Sequence, residues 1–129
     1  LKNGFERLLG IILIGQTELA QKLSENNPHV REVVQRCELL TLQPLEDGRL
    51  GQYLKFKFSR VGKDIQDVLD DSAIEAIAER LTVRSRTRVG VETNSLLYPL
   101  AVNNLVSAAM NEAASLLQER VTGDTVKGV

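Results

Sequence analysis

The chain has 129 residues, a formal net charge of -1, 43% hydrophobic and 26% charged residues, which suits one soluble globular domain with a real core. No apolar run reaches the roughly 20 residues of a membrane helix and no signal peptide opens the chain, so the expected compartment is the cytoplasm. A lone cysteine, Cys37, excludes an internal disulfide, and no Cys/His grouping has metal-ligand spacing.

In chain order, "LKNGFERLLG" begins at Leu1 without a cap or leader, and the expectation is a piece of a longer protein. Leu8–Ile14 is continuously aliphatic and closes on Gly15, which predicts a short buried strand. It runs straight into polar Gln16 and Thr17. Thr17 suits the cap of a helix reaching about Ser24, with Leu19 and Leu23 on one face. "ENNPH" breaks that helix, and Pro28 suits the first turn of another over 28–36. "CELLTLQPL", residues 37–45, has a strand pattern that Pro44 ends.

Beyond Pro44 the pattern turns helical. Residues 48–60 place Leu50, Tyr53, Leu54 and Phe58 on one face. "DSAIEAIAERL" carries a capping box, with Ser72 as the expected N-cap and Glu75 three residues on, and Ile74, Ile77, Ala78 and Leu81 as its apolar stripe. Residues 82–95 are polar and expected to be irregular. The longest helix is expected from Pro99 to Gln118, its stripe running through Val102, Leu105, Val106, Ala109, Met110, Ala113, Leu116 and Leu117. Gly123 stops the pattern and Asp124 is placed to cap a last short turn. The fold class is mainly α with a short β component, whose two strands would need partners from upstream.

Charge is unevenly placed. "RLTVRSRTR", residues 80–88, holds four arginines and no acid, while residues 64–75 hold five acids and no base. In an extended segment Arg84, Arg86 and Arg88 would point one way, roughly 6–7 Å apart, near the spacing of successive phosphates on one strand. Two readings stay open for them: contact with nucleic-acid phosphates, or a solvated loop with a few ion pairs. Asp67, Asp70 and Asp71 lie at a helix entrance, where carboxylates suit the dipole, so they read as capping groups and no metal site is expected. His29 reads as a surface histidine and Cys37 as a small buried hydrophobe. The chain has no GxxxxGK[ST] phosphate loop and no strand ending in paired acids.

"LLGIILIGQTELAQKL" followed by "VREVVQRCELLTLQPLEDGRLGQYLKFKFSRVG" resembles the later half of AAA+ ATPases of the ExeA, TniB and MuB group, which serve secretion and DNA transposition. The shared pattern is a hydrophobic strand, Gly-Gln-x-x-Leu, an arginine before the next strand, Leu-x-Pro-Leu, and a helix with a Tyr-Leu pair. "DSAIEAIAERL" and "YPLAVNNLVSAAMNEAA" are similar to the helical lid of that group. The resemblance implies that residues 1–45 end an α/β core, contributing its two strands, and that residues 46–129 form an α-helical lid.

It further implies that Gln16 is a sensor-1 residue that positions water or the γ-phosphate, with Thr17 as the alternative in the motif. Arg36, or failing it Arg31, would be an arginine finger acting on a neighbouring subunit's nucleotide; the plainer reading is an ion pair at a helix end. At the start of the last long helix the secretion-type members carry Gly-Asn-x-Arg, but here Leu100 and Ala101 stand where their sensor-2 arginine belongs, which leans away from the secretion type. Nucleotide sensing would then pass to Arg86 or Arg88. Asn103 and Asn104 match the group's asparagines and suit a helix-surface or packing role.

ATP and magnesium are implied for the parent protein, with no hydrolysis by this chain alone. The implied partners are DNA bound without sequence preference, a transposase, and further copies in a homo-oligomer. An ExeA-like ATPase of type II secretion and a non-catalytic helical interaction module are the alternatives.

Overall fold

A computed structural model describes every residue except Leu1, Phe5, Leu8, Glu25 and Asp47, and of Lys2, Asn3, Glu6 and Arg7 it describes the backbone alone. The chain divides into two units, Leu1–Thr41 and Leu42–Val129.

The first unit holds two two-residue strands, β1 (Lys2–Asn3) and β2 (Glu6–Arg7), paired antiparallel about Gly4. Two short helices follow, α1 (Thr17–Lys22) and α2 (Arg31–Val34). No described residue here is buried. The strands expected over residues 8–14 and 37–45 are absent among the described residues. Leu8 lies outside those residues; Ile11 to Ile14 are non-regular and 60–91% exposed. Leu39, Leu40 and Leu42 are exposed in the same way. The cause is physical: a strand exists only as one side of a hydrogen-bonded pair, and an aliphatic run without a neighbour has none. The second helix is also shorter than the expected 28–36, and Pro28 stands in a turn ahead of it.

The second unit carries the core. Its elements are α3 (Arg49–Ser59), a 3-10 turn (Ile65–Asp67), α4 (Asp71–Arg80), β3 (Thr82–Thr87), β4 (Gly90–Ser95), α5 (Pro99–Ser115) and α6 (Gly123–Gly128). Mainly α with a short β component is the observed class. Pro99 opens α5 because its missing N–H costs nothing at a first helical position. Along α5, Val102, Val106, Ala109 and Ala113 are buried at helical spacing, facing Leu50 and Leu54 of α3, Ala73, Ala76 and Ile77 of α4, and Val126 of α6. Leu116 and Leu117, expected in the same stripe, lie beyond the helix end and are exposed.

Ala73 and Ala76 of α4 and Ala109 and Ala113 of α5 are buried in this core. Leu54, Leu69, Ile77, Val102, Val121 and Val126 are fully buried. Each such side chain contributes roughly 1.5–3 kcal/mol, so these residues hold the unit together. Asp70 N–H donates to Val121 O at 3.1 Å and Val121 N–H to Val68 O at 2.8 Å, tying the entrance of α4 to that of α6. Among the described residues no helix is long and apolar enough to cross a membrane.

Candidate nucleic-acid interface

Residues 82–95, expected to be irregular, form an antiparallel hairpin. "TVRSRTRVGVETNS" is dense in threonine and valine, which favour extended backbone, and Gly90 stands where the chain must reverse. Arg88 and Val89 link the strands with ordinary negative φ, so the unusual dihedral falls on Gly90, at φ 149°. The base is fixed to the core. Thr82 Oγ1 donates to Ala78 O at 2.7 Å, Leu96 N–H donates to Leu81 O at 2.7 Å, and Leu97 is buried.

From there the ribbon stands clear of the core: every residue from Val83 to Asn94 is exposed. A two-stranded ribbon bare on both faces is marginal by itself. Its register sorts the charges. Arg84 pairs with Thr93 and Arg86 with Val91, so one face carries two arginines and no acid. Side chains alternate across a strand, which puts Glu92 and its partner Ser85 on the opposite face. Arg88 belongs to the turn, so two arginines share the strand alternation rather than the expected three. Among the described residues none of Arg84, Arg86 and Arg88 has a carboxylate partner.

The residues assigned to nucleotide chemistry fall in both units, Gln16, Thr17, Arg31 and Arg36 in the first and Arg86 and Arg88 in the second. Gln16 and Thr17 are exposed at the start of α1, where Gln16 occupies the N-cap position without a side-chain bond. Neither ends a strand, as the sensor-1 role supposed. Arg36 lies just past α2 and meets Glu32 at 3.5 Å, both side chains at least 80% exposed. Arg31, also exposed, opens α2. Arg86 and Arg88 belong to the second unit. No group of three His, Cys, Asp or Glu among the described residues is placed to hold a metal ion.

Asn103 is half-buried and accepts from Tyr53 Oη at 2.9 Å, bonding α5 to α3, while Asn104 is exposed. Leu100 is 73% exposed. His29 is exposed as expected. Cys37 corrects the expectation of burial: it is an exposed free thiol whose Sγ lies 3.2 Å from Val33 O, because the strand meant to bury it is not formed.

No family model, curated protein or solved structure matches this chain.

One basic surface escaped the sequence reading. Residues 48–63, spanning α3, hold five bases and no acid, but the apolar stripe on the same helix was the stronger signal.

Proposed function

We propose that the chain contacts DNA phosphates through the β3–β4 ribbon, as part of an AAA+ ATPase that acts in DNA transposition, assembles as a homo-oligomer and engages a transposase. The observation that carries the DNA contact is the one-sided ribbon: Arg84 and Arg86 share a face without an acid, Arg88 extends it at the tip, and all three are unpaired among the described residues. The ATPase and transposition parts rest on the resemblance described above. Phosphate contact by such a ribbon is sequence-blind, since the phosphates themselves carry no sequence information. Two-stranded ribbons are narrow enough for the major groove, where phosphates flank them on both sides.

The test is a salt titration of the protein on a labelled DNA duplex, with and without Arg84→Gln, Arg86→Gln and Arg88→Gln together. Each lost phosphate contact should flatten the logarithmic salt dependence by about one unit of slope. The melting temperature should stay put, because the three side chains are exposed and outside the core. Unchanged slope and affinity would leave the arginines as a solvated surface and end the DNA reading.

A further inference from the structure

Helix α3 turns a second cationic surface outward. Arg49, Lys55, Lys57 and Arg60 are all exposed, and Lys63 follows them. Residues 48–63 contain no acid, and none of these bases has a carboxylate partner among the described residues. Acids are collected instead in the next sixteen residues, where Asp64 and Asp70 are occupied as helix caps. At about 100° per residue Arg49, Phe56 and Arg60 fall on one stripe of the helix, flanked by Lys55 on one side and Lys57 on the other; Phe56 is 58% exposed, with the Arg60 guanidinium 5.9 Å from its ring centre. The helix buries Leu50 and Leu54 and half-buries Tyr53 and Phe58, so its apolar needs are met without Phe56. Phe56 is the most exposed aromatic among the described residues.

We propose that the outer face of α3 binds single-stranded nucleic acid, its bases taking backbone phosphates and Phe56 stacking on one unpaired base. This rests on the nucleic-acid reading above for the class of partner, but on different residues. An unpaired base offers a free π-face, whereas a duplex hides its bases in the stack; an aromatic ring amid unpaired cations therefore fits the single strand. Arg60 beside the ring adds a planar cation to the same platform. An anionic membrane suits the face less well. A helix that lies in a bilayer surface inserts its apolar side, and the apolar side of α3 is already spent on the core.

The experiment uses fluorescence anisotropy with a labelled oligothymidylate and, in parallel, a labelled duplex. Phe56→Ala should weaken oligothymidylate binding about tenfold, within the range measured for one base–aromatic stack, and leave duplex binding unchanged. Lys55→Gln, Lys57→Gln and Arg60→Gln together should flatten the single-strand salt slope by about two units. The ribbon variant lacking Arg84, Arg86 and Arg88 should lose duplex affinity and keep the oligothymidylate. If both α3 variants bind oligothymidylate as the parent does, this inference fails while the ribbon reading stands. Binding to phosphatidylserine vesicles that the α3 variants abolish, with oligothymidylate binding intact, would overturn it in favour of a membrane.

Discussion

Gly123 lies against Ser72. The Gly123 N–H donates to Ser72 Oγ at 2.9 Å, and a Cβ built on Gly123 would stand 2.9 Å from the Ser72 carbonyl oxygen. The close approach is how α6 packs on α4, and it involves backbone in the first turn of each helix. Gly123→Ala should therefore destabilise the protein by roughly 1–3 kcal/mol, the usual cost of overpacking a fixed site. Alanine's better helix propensity offsets little of this at a first helical position. Thermal unfolding measures it. A melting temperature equal to or above the parent's would show that the two helices slide apart freely.

The same Ser72 hydroxyl donates to Asp70 Oδ1 at 2.6 Å, and Asp70 also accepts from Ala73 N–H at 2.9 Å as the N-cap of α4. The Ser72 hydrogen bond, followed by the Ala73 N–H and the Arg120 charge, outweighs burial and holds the Asp70 carboxyl below its ordinary value. A lowered folded-state pKa means the carboxylate stabilises the fold above the ordinary aspartate range and that this contribution is lost as pH falls through the folded value. Asp70→Asn should flatten the decline in stability below about pH 4, and Asp70→Ala should cost about 1 kcal/mol at neutral pH. Urea titrations at pH 7 and pH 3 separate the two effects. An acid decline as steep in the Asn variant as in the parent would place the sensitive group elsewhere.

Cys37 is exposed, so native protein should take up one maleimide without denaturant. Mass spectrometry reads the adduct. Labelling that requires urea would mean the thiol is covered in solution, as burial by a formed strand would cover it.

The three longer helices were legible because each is amphipathic, and two of them enter through a recognisable signal, the acids and Ser72 ahead of α4 and Pro99 at α5. The cap of α4 was not: Ser72 is the expected N-cap, but Asp70 holds that position, and the Ser72 hydroxyl instead accepts from the Gly123 N–H, fifty-one residues on. The last helix shows the same limit. Thr122 caps it in a reciprocal pair with Thr125, where Asp124 had been expected. The aliphatic runs of the first unit read as strands because composition alone marks β propensity, whereas pairing decides the strand. The hairpin failed in the opposite direction. Both its faces are wet, so no alternation of hydrophobic residues announces it. Its arginines were visible as composition, but their sorting onto one face is a property of register.

That register hangs on Gly90. Its φ of 149° lies where side-chain-bearing residues rarely go, and a β-branched residue there would add strain of order 1–3 kcal/mol. Nothing lies within 4 Å of a Cβ built at this position, so the penalty is purely one of backbone conformation. Gly90→Val should accordingly open the ribbon without disturbing the core. Amide exchange should accelerate from Val83 to Asn94, all exposed residues, while the melting temperature of the helical unit barely moves. Charge is unchanged by the substitution, so any loss of duplex affinity would come from geometry alone. If Arg84 and Arg86 must share a rigid face to follow a phosphate backbone, affinity should fall together with amide protection. Duplex binding that persists after the hairpin amides have lost protection would mean the arginines act as a mobile charged segment, and the ribbon's one-sided register would have no part in recognition.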